Sequence, residues 1–213
     1  MHISVFDLDH TLVTGNSSYG FCAFLHKQKA LSSLALIKAY WYRLRHDFSS
    51  AELERLHNQL FNCLLRGLSM ESLERCAAAF IQNYIFPHLY FPTFQELRFA
   101  QHRGDYTVIM SSSPSFIVRR VAEALGVDEW LATEYRVDAS NRLIEVHQFI
   151  DGRAKAKALT GVVEERGLSL KQVTAYSDSY RDLPFLSLAG EPVAVNPDAK
   201  LQAYSRENQW RIL

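Results

Sequence analysis

The sequence predicts an α/β protein: a parallel sheet with helices on both faces, interrupted near its start by an all-helical insertion. Three observations lead there. Strand-like and helix-like segments alternate from about residue 93 onward; an isolated apolar strand opens the chain over residues 2–7; and the stretch from 16 to about 88 is helical in pattern throughout. Such alternation builds a parallel sheet, because each crossover helix returns the chain across one face. At 213 residues the chain fits one large domain, or one domain with a modest insertion, on a prior of about 150 residues per domain. The expected division is an α/β core from residues 1–14 and 89–213 and a helical cap from 15–88.

Taken in order, Ile3, Val5 and Phe6 make the first short strand, which runs into Asp7-Leu8-Asp9-His10-Thr11-Leu12 and the turn residue Gly15. Ser49-Ser50-Ala51-Glu52 can cap a helix whose apolar residues Leu53, Leu56, Leu60, Phe61 and Leu64 recur at three- and four-residue steps. Ser69-Met70-Glu71-Ser72 opens another, with Leu73, Ala77, Phe80 and Ile81 on one face. Pro87 and Pro92 punctuate the chain, and a helix over 93–103 ends at Gly104. Asp105 to Met110 is a nearly continuous β-prone run, as expected of a strand buried on both faces. It empties into Ser111-Ser112-Ser113-Pro114, read as a loop, and a helix follows from about Ser115 to Leu125, closed by Gly126. A helix over 153–166, a short strand at 173–176 entering Ser177-Asp178-Ser179, and a strand at 192–195 complete the pattern.

Composition narrows the class. With 48% apolar and 22% charged residues the chain has the balance of a soluble globular protein, which excludes a disordered or collagen-like one. Lysine plus arginine, 23, equals aspartate plus glutamate, 23, so no global charge draws it to nucleic acid. No apolar run approaches the roughly 18 residues that span a bilayer, and the start meets Asp7 without a basic region, unlike a signal peptide. Cys22, Cys63 and Cys76 are too few and scattered for a disulfide framework or a zinc site; they read as buried thiols in a reducing, cytoplasmic compartment.

In open parallel sheets, ligands bind beyond the carboxyl ends of the strands. Those ends deliver Asp7 and Asp9, then Ser111, then Asp178 and Asp182, with Lys155 and Lys157 on the helix between. Four carboxylates at one rim repel one another, and a hard, oxygen-ligated cation such as magnesium relieves that. A hydroxyl, the free amides of a helix start and a lysine suit a phosphoryl group. A carboxylate beside magnesium can attack phosphorus, while a second one can protonate the leaving alcohol and later deprotonate water. The spacing of two puts Leu8 on the opposite face and both acids on the site. Lys155 and Lys157, two apart on a helix, diverge by about 200° and cannot share one role.

Four stretches, taken together, resemble the haloacid dehalogenase-like phosphatases that carry a helical, C1-type cap after the first motif, the branch (subclass IB) containing phosphoserine phosphatase. Val5 to Leu12 is similar to the first motif, Val108 to Pro114 to the second, Gly152 to Lys155 to the third and Ala175 to Pro184 to the fourth; Pro192 to Asp198 also resembles this branch. The resemblance implies a Rossmann-like core, Asp7 as nucleophile and Asp9 as acid/base. It implies magnesium (Mg2+) held by Asp7, Asp178 and the Asp9 backbone carbonyl with Asp182 in support, and phosphate held by Ser111, Ser112 and Lys155. Arg181 stands where many relatives carry asparagine.

The expected function is hydrolysis of a small phosphorylated metabolite through an aspartyl phosphate. A receiver-type phospho-acceptor module uses similar residues, but places its acidic pair before the acceptor and has no insert of about 70 residues. A catalytically silent module would be free to lose Asp9. Where phosphoserine-specific relatives carry an acidic residue at the cap entry, this chain has Asn16-Ser17-Ser18-Tyr19, and no acid occurs between Asp9 and Asp47. The substrate is therefore expected to be a phosphomonoester other than phosphoserine. The alternative is a phospholipid-type monophosphate, because Lys38, Arg43 and Arg45 interleave with Tyr40, Trp41 and Tyr42 in a run that suits a membrane surface.

Overall fold

The computed structural model describes residues 1–34, 36, 37 and 50–213. Its strands, in chain order, are β1 (Ile3–Phe6), β2 (Tyr106–Pro114), β3 (Glu129–Val137), β4 (Leu143–Gln148), β5 (Val173–Ser177), β6 (Glu191–Ala194) and β7 (Arg211–Ile212). They form one seven-stranded sheet in the order β4-β3-β2-β1-β5-β6-β7, parallel except for the antiparallel pair β3–β4. Between β1 and β2 lie α1 (Ser17–Lys27), α2 (Ser50–Leu64) and α3 (Met70–Phe80), a π-helical turn at Ile81–Ile85, and α4 (Phe91–Arg103). Beyond β2 come α5 (Ser115–Leu125), α6 (Gly152–Glu165), the single turn α7 (Leu183–Leu186) and α8 (Ala199–Glu207).

The alternation of β1 explains its central place. Ile3 and Val5 face a core shared with Val108, Met110, Ala175 and Ala194, while Phe6 turns to the other face with Ile109 and Tyr176. The Phe6 and Tyr176 rings stack 4.5 Å apart. A strand apolar on both faces is stable only where helices cover both, which makes this a Rossmann-like doubly covered sheet. Gly104 and Gly126, both left-handed, end α4 and α5.

Two stretches depart from the sequence reading. Ser111–Pro114, expected as a loop, continues β2, with a register irregularity against β3 between Met110 and Pro114. Residues 129–148 carry no expected element, yet they form the hairpin β3–β4. Its apolar signal is weak because it stands at the sheet edge: β4 fully buries only Leu143, and Asn141 turns the hairpin in a left-handed conformation. The hairpin tip is tied to the α2–α3 connection, where Gly67 N–H donates to the Leu143 carbonyl at 2.8 Å and Met70 N–H to that of Asn141 at 2.9 Å. No helix among the described residues is long and apolar enough to cross a membrane. The basic–aromatic run over 38–46 lies outside the described residues.

Candidate active site

The sheet grows outward in both directions from β1, which pairs with β2 on one side and β5 on the other. The crevice at its carboxyl end is therefore where side chains from three strands converge. Asp7 extends the ladder by one residue, its N–H donating to the Tyr176 carbonyl at 2.9 Å. The chain then folds back tightly, with the N–H groups of Leu12 and Val13 both donating to the Leu8 carbonyl and His10 in a left-handed conformation. Leu8 is fully buried in the core on the far side.

Lys155 comes in from the first turn of α6. That helix is capped by Asp151, whose carboxylate accepts the N–H groups of Arg153 and Ala154 at 3.0 and 2.8 Å. The lysine is 3% exposed, and its Nζ donates to Asp7 Oδ1 and Asp182 Oδ2, each at 2.6 Å. Ser177 Oγ donates to the same Asp182 oxygen at 2.7 Å. Burial acts to lower the Lys155 pKa, but the charges of Asp182 and Asp7 outweigh it and the ammonium is held firmly protonated. Gly152 allows α6 to come this close: a Cβ there would lie 2.2 Å from the Arg181 carbonyl oxygen.

Asp9 is held differently. Ser17 N–H donates to one carboxylate oxygen and Ser113 Oγ to the other, both at 2.8 Å. Ser113 Oγ also lies 2.9 Å from Ser17 Oγ and 2.8 Å from Ser18 Oγ, so the start of α1 is joined to the end of β2 over this acid. Burial raises the Asp9 pKa. Asp7 rises to about 7, chiefly by burial, with Lys155 opposing and Asp182 adding repulsion. Asp178 rises to about 8 through burial and the charges of Asp7 and Asp182.

Asp7, Asp9, Ser112, Lys155, Asp178 and Asp182 line one cavity of about 150 Å³. Ser111 does not reach it; it is buried beneath, its hydroxyl accepting Ser113 N–H at 3.1 Å. Lys157 stands exposed on α6. Three polar groups escaped the sequence reading: Ser113 and Ser17, which hold Asp9, and Asp151, which caps α6 at the cavity. An Asp-Gly pair just before a helical pattern was the available signal for Asp151; nothing local marks the two serines.

Among the described residues, no three His, Cys, Asp or Glu side chains are closed around a common point as a ready metal site. The donor chemistry nonetheless fits a hard cation. Asp7 and Asp178 are both oxygen donors on the cavity, and Asp9 and Asp182 line it with them beside the single Lys155 ammonium. Magnesium asks for just one or two carboxylates, with water and substrate oxygens completing its shell.

The chain matches the haloacid dehalogenase-like hydrolase family over residues 4–187, and it belongs to that family. It is 31% identical to the histidinol-phosphatase of Neisseria meningitidis serogroup C, over 100% of this chain and 98% of that protein. It is 30% identical to a phosphoserine phosphatase of Mycobacterium tuberculosis, over 97% of this chain and 68% of that one. The fold superposes on a Bordetella pertussis protein of unknown function with a TM-score of 0.85 at 23% identity, covering 99% and 97% of the two chains. A phospho-aspartyl intermediate analogue of phosphoserine phosphatase gives 0.65 at 17% identity, over 99% and 91%. Within the family the chain is a phosphatase, a phosphoric monoester hydrolase.

Proposed function

We propose that this chain is a magnesium-dependent phosphomonoester hydrolase in which Asp7 is the nucleophile, acting on a small phosphorylated metabolite other than phosphoserine. One observation carries the reading: two acids two residues apart sit in one crevice in opposite settings, Asp7 against the Lys155 ammonium and Asp9 against neutral donors. Different environments for paired carboxylates are how one site runs both nucleophilic and acid–base chemistry.

In the first step an Asp7 oxygen bonds to phosphorus as the ester P–O bond breaks, and the Asp9 proton passes to the departing alkoxide. Burial, which raises the Asp9 pKa, keeps that proton available. In the second step Asp9, now a carboxylate, takes a proton from water, whose oxygen displaces Asp7 and releases inorganic phosphate. Lys155 offers positive charge to the phosphoryl oxygens, and the Ser112 hydroxyl at the cavity wall offers a neutral hydrogen-bond donor. Asp7, Asp178 and the Asp9 carbonyl would hold the metal, with Asp182 keeping Lys155 in place. Magnesium there supplies positive charge to the transferring phosphoryl group and to the crowded carboxylates.

Residues 15–88 are the cap in this reading; Asn16 and Leu53 are its contributions to the crevice wall, and Ser17 and Ser18 bond to Ser113 beside it. The relatives' names point to small phosphate esters, histidinol phosphate in one case and phosphoserine in another. Asn16, Ser18 and Tyr19 at the cap entry bring no carboxylate to meet the ammonium that both esters carry, and no Lys or Arg among the described lining residues meets the carboxylate that phosphoserine alone carries, which favours the first over the second. Phosphate release from histidinol phosphate, phosphoserine and p-nitrophenyl phosphate tests the proposal. The wild type with magnesium should hydrolyse the first and third, phosphoserine should be poorest, and Asp7→Asn should be inactive on all. Equal rates for wild type and Asp7→Asn would refute it.

A further inference from the structure

A second cavity, of about 130 Å³, opens beside the first. The two share Asp9, Asn16, Leu53 and Ser112 in their walls, whereas Asp7, Lys155 and Asp178 line only the first. This asymmetry gives the second cavity a direction. An acid that protonates the leaving oxygen must lie within hydrogen-bond reach of it, and in-line displacement puts that oxygen on the far side of phosphorus from Asp7, so the departing alcohol lies on the side that Asp9 borders and Asp7 does not.

The chemistry of the walls is distinctive. Leu56, Leu60 and Phe61 of α2 face Phe116 of α5, Tyr135 of β3 and Phe149 just after β4. The aromatic rings form one cluster: Phe61 stacks on Tyr135 at 5.4 Å, Phe116 lies 5.8 Å from Tyr135, and His57 lies 5.1 Å from Phe149. His57 Nε2 and the Tyr135 hydroxyl are hydrogen-bonded at 2.8 Å. Among the described lining residues there is no Lys, Arg or Glu, and the sole carboxylate, Asp9, already accepts from Ser17 and Ser113. Burial pulls His57 down to about 4 and pushes the Cys22 thiol up to about 12, so both stay neutral at pH 7. A dry apolar cavity of about 150 Å³ accommodates one benzene ring, and this one is of that size.

We infer that this cavity is the leaving-group pocket, that it takes one planar five- or six-membered ring of the substrate alcohol, and that the His57–Tyr135 pair is its polar contact to that ring. The inference rests on the phosphatase reading above and adds what that reading leaves open, the shape of the alcohol. Ring faces meet aromatic walls, and an ester without a ring leaves the pocket unfilled.

The test compares kcat/KM, with magnesium, for 2-phenylethyl phosphate, 2-(imidazol-4-yl)ethyl phosphate, ethyl phosphate and phosphoethanolamine. Both ring esters should exceed ethyl phosphate by roughly 10–100-fold, the range set by burying a phenyl-sized group in the transition state. Phosphoethanolamine should not exceed ethyl phosphate, since the pocket has no free counter-charge. Leu60→Phe, which fills the pocket, should cut the ring-to-ethyl ratio at least tenfold. His57→Leu should lower the imidazolyl-to-phenyl ratio several-fold. Ratios within one variant are insensitive to its folded fraction, so partial misfolding does not mimic these results. Ring and ethyl esters hydrolysed alike, or phosphoethanolamine best, overturns the pocket assignment and leaves the hydrolase standing. No phosphate release from any ester, p-nitrophenyl phosphate included, overturns both.

Discussion

Replacing Gly152 by alanine adds one methyl group at the point where α6 meets the turn carrying Asp182. A Cβ there would sit 2.2 Å from the Arg181 carbonyl oxygen, 3.1 Å from its carbonyl carbon and 3.2 Å from Asp182 Cα. All three atoms are backbone, so no side chain can swing aside. Restoring ordinary contact at 3.4 Å requires α6 and the turn to part by about 1.2 Å, the difference between 3.4 and 2.2. Overpacking of this kind costs about 1–3 kcal/mol, or roughly 2–12 °C in Tm for a chain of this length. The larger effect should be on catalysis. Lys155, one turn along α6, bridges Asp7 and Asp182 at 2.6 Å on each side, and a parting of that size breaks one of the two contacts. A misplacement of about 1 Å can cost 10²-fold in rate. Gly161 supplies the control on the same helix, because a Cβ there meets nothing within 4 Å. Gly161→Ala should raise Tm by about 2–4 °C, from the roughly 1 kcal/mol by which alanine exceeds glycine in helix interiors, and leave kcat/KM unchanged. Thermal unfolding and phosphate release on both variants decide the matter. Wild-type activity and stability in Gly152→Ala would show that this close approach does not position Lys155.

Asp9→Asn should lower turnover by roughly 10²–10⁴; with p-nitrophenyl phosphate, whose leaving group needs little protonation, a stoichiometric burst of nitrophenol should precede slow turnover, and slow release without a burst would argue against Asp9 in the second step. Lys155→Met leaves two buried carboxylates facing each other without their cation. It should cost about 3 kcal/mol or more at pH 8, a Tm drop of roughly 6–12 °C, and at least 10²-fold in activity; an unchanged Tm would show the pair to be solvated. Metal-free protein should lose stability as pH rises. Asp7 and Asp178 titrate near 7 and 8 in the fold against 3.8 when exposed, so the folded state binds more protons than the unfolded one between about pH 4 and 8, and the stability present at the low end of that window is gone above it. Comparing pH 6.5 with 8.5 keeps His57 neutral in the fold; Tm in chelator should be lower at 8.5, and magnesium should narrow the gap. An equal or higher Tm at pH 8.5 would contradict the raised carboxylates.

Much of this was legible in the chain itself because the information is local. Apolar runs of strand length, helical periodicity, and Gly104 and Gly126 past helix ends set the α/β core. Asp7, Asp178 and Lys155 announce themselves by following strands or opening a helix. Spacing on a helix also separates Lys155 from Lys157, although only the fold shows which is buried: Lys155 faces the crevice and Lys157 solvent. What the tertiary structure decided is whatever depends on elements far apart in sequence. Ser113, 104 residues from Asp9, holds its carboxylate, while Ser111 stays buried and accepts the Ser113 N–H; both follow from β2 running on where a loop was expected. The ring-sized pocket joins His57 to Tyr135 across 78 residues, on a hairpin whose edge position erased its apolar pattern. A local pattern records what a residue buries; which residue it meets there is set by the packing of the whole chain.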